Sequence, residues 1–114
     1  MRIIHGEKVF GAVVDVETRC AHYHSPLDVV AIRFKCCDRW YPCRECHDEI
    51  ESHDARTWQQ DEFVLKAILC GACGHQLTIG EYFVCENKCP SCLSGFNPGC
   101  AKHYHLYFDR KRAD

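Results

Sequence analysis

The sequence predicts a small α+β domain, irregular and loop-rich, that is stapled by bound metal more than it is held by a core. Three observations carry that expectation. The chain has 114 residues, a length at which a hydrophobic core alone gives little stability. It holds eleven cysteines and eight histidines. Those residues are gathered into tight pairs, as ligands of an ion must be. A disulfide framework would also use many cysteines, but it has no use for histidine, and the count is odd. Met1 to Lys8 contains no long apolar run, so no secretory signal is expected. No stretch approaches the roughly 18 apolar residues of a membrane span. The formal net charge of −2 provides no basic face for nucleic acid.

Taken in order, the elements are short. Residues 1–19 carry Val9, Val13, Val14 and Val16 among polar residues, which predicts a short edge strand and a turn. Val29 to Lys35 reads as a strand with Val30, Ile32 and Phe34 on one face. After Pro42, the charged run Arg44 to Ser52 predicts a short helix. Phe63 to Leu69 is a second strand candidate leading into Cys70. Gln76 to Val84 is expected to form a hairpin turning near Gly80-Glu81, and Tyr104 to Phe108 a last aromatic strand before a charged tail. No linker breaks the chain, so residues 1–114 are read as one domain. A parting near residue 60 separates a cross-braced part (18–60) from a ribbon-like part (61–108).

The most specific metal signal is Cys70-Gly-Ala-Cys73 followed by Cys89-Pro-Ser-Cys92, two C-x-x-C pairs with 15 residues between them. This is zinc-ribbon spacing. The two-residue spacer lets a tight turn aim two sulfurs at one ion, and Gly74 relieves the turn. One such pair alone would equally suit a redox dithiol; two at this interval point to a four-cysteine zinc site.

Upstream the donors interleave: Cys20-Ala-His22, Cys36-Cys37, Cys43-Arg-Glu-Cys46-His47, then His53. Cys46 and His47 are expected to serve different ions, because consecutive side chains diverge. One partition gives each ion two donor pairs: Cys20, His22, Cys43 and Cys46 at one site, Cys36, Cys37, His47 and His53 at the other. The two ions then cross-brace one segment against another. Any single histidine is more often a surface or core-capping residue, but three set among five cysteines favour ligation. Three zinc ions are therefore expected. The nine thiolates and three divalent ions together would change the formal charge by −3, giving roughly −5 for the loaded protein. Cys85, Cys100, His103 and His105 remain. They could supply a fourth site; the simpler expectation is two spare thiols and histidines that hydrogen-bond around the ions, as for His24 and His75.

Catalysis is not expected. Sites closed by four protein ligands leave no position for water, and H-E-x-x-H is absent. Pro42-Cys43-Arg-Glu-Cys46 matches half of a zinc deaminase signature. The other half, H-x-E, occurs only downstream as His47-Asp48-Glu49. A thiol oxidoreductase would need a lowered thiol pKa that no motif here signals.

The motifs Cys20-Ala-His22-Tyr23, Cys36-Cys37-Asp38, Tyr41-Pro-Cys43-Arg-Glu-Cys46-His47-Asp48, His53 and the two C-x-x-C pairs together resemble the CHY-type zinc finger, over roughly residues 18–108. The resemblance implies three zinc ions and the same partition of ligands. Asp28-Val-Val-Ala-Ile-Arg-Phe-Lys-Cys-Cys-Asp38 and Phe96-Asn-Pro-Gly-Cys-Ala-Lys-His-Tyr-His-Leu-Tyr-Phe108 resemble the stand-alone, single-domain fungal members that help small Tim proteins. That likeness implies a protein partner, while the net charge and the lack of an apolar span give no expectation of nucleic acid or membrane. It implies the mitochondrial intermembrane space for a eukaryotic member and the cytoplasm for a bacterial one. The expected function is structural zinc binding in support of protein interaction. The alternative is a zinc-handling helper that takes metal from a thiol oxidoreductase during disulfide-relay assembly.

Overall fold

The computed structural model describes residues 1–97 and 107–108. Its centre is a six-stranded sheet of order β1 (Arg2–Ile4), β2 (Glu7–Val9), β4 (Trp40–Tyr41), β3 (Val30–Arg33), β5 (Lys66–Cys70), β6 (Gln76–Thr78). β1 (Arg2–Ile4) and β2 (Glu7–Val9) form an antiparallel hairpin with Ile4 opposite Glu7. The two loop residues, His5 and Gly6, have φ of 50° and 82°, the left-handed pair that matches the twist of a two-residue hairpin. The sequence pattern predicts a single edge strand here; strands of three residues carry too little alternation to be seen as a pair. Val9 then runs parallel to Trp40 in β4 (Trp40–Tyr41).

β3 (Val30–Arg33) turns back onto β4 through a loop that carries Cys36 and Cys37, and on its other side pairs with β5 (Lys66–Cys70). Strands from both sides of residue 60 thus share one sheet. β5 begins at Lys66, not Phe63. Residues 60–62 wind into a 3-10 turn, and Leu65 still donates to the Glu62 carbonyl at 3.0 Å. β6 (Gln76–Thr78) pairs with β5, and the register shift between Lys66 and Ile68 makes Ala67 a bulge.

The helices are short. α1 (Arg44–Ile50) is capped by the Cys43 sulfur, which accepts from the Cys46 N–H, and ends where Glu51 turns extended. The predicted hairpin over Gln76–Val84 is replaced by β6 and a helix, α2 (Ile79–Val84). Thr78 and Glu81 explain the correction. The Thr78 hydroxyl accepts from the Glu81 N–H at 3.0 Å and the Glu81 carboxylate accepts from the Thr78 N–H at 2.8 Å. This reciprocal capping box starts a helix in place of the turn. Of the expected last strand, residues 104–106 lie outside the described residues. Phe108 forms a parallel bridge with Trp58.

The sheet buries both faces. One carries the main core, including Ile32, Phe34, Tyr41, Ile68, Leu77, Phe96 and Phe108. The other packs Ile4, Val9, Ala31, Trp40 and Leu69. The sheet also curls. His5 Nε2 lies 2.8 Å from the Gly71 carbonyl, and Gln76 Nε2 donates to Glu7 at 2.7 Å, so the N-terminal hairpin reaches the turn after β5.

Candidate metal centres

Among the described residues, three groups of four donor atoms are assembled, each with all its atoms within 4.8 Å of one another. In the first, Cys20 opens a turn closed by its N–H on the Tyr23 carbonyl at 3.0 Å, which swings His22 inward. Cys43 caps α1 and Cys46 lies in its first turn. Cys20 and Cys43 sulfurs are 3.7 Å apart, and His22 Nδ1 is 3.4 Å from the sulfurs of both Cys43 and Cys46. Gly11 makes the space: a Cβ there would stand 2.6 Å from Cys46 Cβ.

In the second, Cys36 and Cys37 from the β3–β4 loop meet His47 of α1 and His53 beyond its end. The sulfurs are 3.9 Å apart, Cys36 Sγ is 3.2 Å from His47 Nε2, and the two Nε2 atoms are 3.3 Å apart. Because consecutive helical side chains diverge, one turn of α1 serves both sites: Cys46 faces the first and His47 the second.

The third joins the end of β5 to the segment after α2. Cys70 and Cys92 sulfurs are 3.8 Å apart, Cys73 and Cys89 3.6 Å. Both knuckles close with the same bond, from the residue after the second cysteine to the carbonyl of the first: Gly74 to Cys70 at 2.8 Å, Leu93 to Cys89 at 2.9 Å.

These distances decide what fits. A tetrahedral zinc ion has thiolate bonds near 2.3 Å and imidazole bonds near 2.0–2.1 Å, so its ligand–ligand edges are about 3.8 Å (S–S), 3.5 Å (S–N) and 3.3 Å (N–N). Every edge given above falls within a few tenths of an ångström of these values. Three cysteines with one histidine, two cysteines with two histidines, and four cysteines are all donor sets that suit zinc. Each supplies all four positions from protein.

The unused ring nitrogens face carboxylates. His22 Nε2 is 3.1 Å from Glu49, His47 Nδ1 2.8 Å from Asp48 and His53 Nδ1 3.7 Å from Glu51. Burial raises the Asp48 pKa, but the bonds from His47 and Arg44 outweigh it and hold the carboxyl ionised below its ordinary range. A carboxylate there fixes the ring and strengthens its basicity. Asp48→Asn is expected to weaken zinc at the second site by about 10- to 100-fold, read by chelator competition, with the other two sites unchanged.

The thiols resist ionising together. Hydrogen bonds from Cys43 and Cys46 drive Cys20 down to about 2. The same contacts push Cys43 up, and the bond to Cys20 puts Cys46 at about 11. Burial raises Cys37 to about 11, and also raises Cys70 and Cys73. Ligation requires thiolates, so zinc binding at pH 7 is expected to expel a proton from each raised thiol. Affinity must then fall as pH falls. Calorimetry in buffers of different ionisation enthalpy would count the protons.

Among the described residues, Cys85 joins none of the three groups; its sulfur lies 3.2 Å from the Tyr82 carbonyl. His24 is exposed and His75 half-buried. Cys100, His103 and His105 lie outside the described residues. Sequence reasoning does not find the supporting residues: His5, Gly11, Gly71 and the carboxylates of Asp48 and Glu49. The i,i+1 spacing of His47-Asp48 is the one available hint.

The donor sets define a small domain with three metal sites, built on a curled sheet. Residues 20–104 match the CHY zinc finger family, and the chain belongs to it. It is 48% identical over 103 residues to Helper of Tim protein 13 of Saccharomyces cerevisiae, covering 88% of this chain and 89% of that protein. The Kluyveromyces lactis Helper of Tim protein 13 is 42% identical over 101 residues, covering 89% and 88%. Zinc finger protein BRUTUS of Arabidopsis thaliana shares 33% identity over 97 residues, 82% of this chain but 6% of its own length. Zinc is thus the metal that family and donor chemistry both imply. Among the described residues, no helix is long and apolar enough to cross a membrane.

Proposed function

We propose that the chain is a protein-interaction domain whose zinc ions fix its shape, with no chemistry performed at the metal. The carrying observation is the closure of each donor set by four protein ligands at tetrahedral spacing. The name of its relatives suggests the partner: this chain would help Tim proteins in mitochondria, in the intermembrane space. The roughly −5 charge of the loaded chain disfavours nucleic acid. The test is co-migration of the zinc-loaded chain with purified small Tim proteins. A complex that is lost on chelation supports the reading; no complex with any of them overturns it.

One observation favours a second reading, metal handling, in which the chain takes zinc from a thiol oxidoreductase. Cys73 and Cys92 of the ribbon site are exposed, whereas Cys20, Cys43 and Cys46 are buried. Mixing the chain, emptied at one site, with a zinc-loaded dithiol oxidoreductase and weighing both by native mass spectrometry would detect transfer.

A further inference from the structure

We infer that zinc enters and leaves this chain through the second knuckle of the ribbon site, with Cys92 as the ligand that lets go and a thiolate of a client dithiol as the group that replaces it. The inference rests on the metal-handling reading and names the site and the ligand at which it would occur.

The three sites differ first in access. An incoming thiolate must come within bonding distance of the ion while one ligand departs. At the first site the three cysteines are at most 2% exposed. At the second, His47 is fully buried and only His53 is exposed, with Glu51 beside its other nitrogen. At the third, Cys70 and Cys89 are buried but Cys73 and Cys92 open to solvent.

The two exposed sulfurs are not held alike. The first knuckle is clamped: Gly74 adopts φ +86° without strain, and a Cβ there would stand 2.8 Å from the His5 side chain packed over it. His5 is in turn tied to the Gly71 carbonyl. In the second knuckle the equivalent residue is Leu93, left-handed at φ 66° and 71% exposed. That conformation is costly for an L residue with a side chain, and an exposed leucine gains no packing in return. The knuckle bearing Cys92 is therefore strained and open, and the one bearing Cys73 is relaxed and pinned.

A departing thiolate also needs a donor. Cys92 Sγ lies 3.2 Å from Ser94 Oγ; with the sulfur ionised, the hydroxyl is the donor of that pair. It draws charge from the zinc–sulfur bond and holds the thiolate once the bond breaks. The exchange balances without electron transfer. A zinc–sulfur bond to Cys92 breaks, one to the client sulfur forms, zinc stays divalent, and the proton of the incoming thiol goes to solvent or to Cys92. The same path run backwards loads the chain from the client.

The test uses the full chain loaded with three zinc ions. Release is followed with a colorimetric chelator, alongside mass-spectrometric mapping of iodoacetamide labelling. The expected result is one fast ion and two slow ones, with Cys92 labelled about tenfold or more faster than Cys20, as exposure of the thiolate dictates. Ser94→Ala, which leaves every ligand in place, should slow the fast phase about three- to tenfold, the worth of one hydrogen bond. Fast release with Cys36 or Cys37 labelled first would overturn the ribbon assignment while leaving metal handling standing. Three ions all held for hours would overturn both. A Ser94→Ala chain with unchanged fast release would remove Cys92 from its role.

Discussion

Stripping zinc from the chain at neutral pH is expected to unfold it, leaving no folded metal-free form. Among the described residues the longest helix has seven residues and the longest strand five, too short to persist without tertiary support. Cys20, Cys43, Cys46, Cys70 and Cys89 occupy buried core positions, so the ligands are part of the core. A structural zinc site contributes an apparent free energy of about 10–16 kcal/mol at pH 7, as much as the whole net stability of an ordinary domain, about 5–15 kcal/mol. Buried Trp40 and Trp58 report the loss. Their near-UV circular dichroism should collapse on adding a strong chelator and return with zinc. A spectrum that survives complete zinc removal would show a core able to stand alone.

A His47→Ala chain is expected to carry two zinc ions and to lose the packing between α1 and the sheet. His47 is fully buried. Its ring stacks on Phe34 with centroids 4.5 Å apart, and meets Tyr41 edge-on at 5.4 Å. Truncation thus removes a ligand and also opens a cavity, the latter costing about 2–5 kcal/mol by itself. His53→Ala is the control, because His53 is exposed. It should lose the same ion with a smaller fall in melting temperature. Equal melting temperatures for the two variants would mean that His47 acts only as a ligand.

The donors are legible in the sequence because a metal site imposes spacing on the chain: two sulfurs on one knuckle must sit at C-x-x-C whatever surrounds them. β3 and α1 are legible for a related reason, since Val30, Ile32 and Phe34 alternate and Cys43 is followed by a charged helical run. β1, β2 and β4 are not. Two or three residues do not establish a period, and their pairing depends on residues far away in sequence. The helix over Ile79–Val84 is hidden behind Gly80, which suggests a reversal, while the Thr78-to-Glu81 cap that decides the matter is a local signal of equal strength. Gly71 is invisible for a different reason. A Cβ there would stand 2.2 Å from the Glu17 carbonyl oxygen, a close approach that no local pattern encodes.

The contacts of the N-terminal hairpin also lead to an expectation about the order of folding. His5 reaches Gly71 and Glu7 reaches Gln76, partners 66 and 69 residues apart in sequence. Contacts that far apart in sequence are slow to form, so the hairpin, though it can pair with β4 at Val9 and Trp40, is expected to make these two contacts late in folding. The hairpin is therefore expected to close as a late clasp, with the His5–Gly71 contact reporting on the knuckle beside it. When the ribbon site loses its ion, the amino-terminal strands should be the first part of the sheet to peel away, and a protease cutting between Val9 and Ala12 would record that opening.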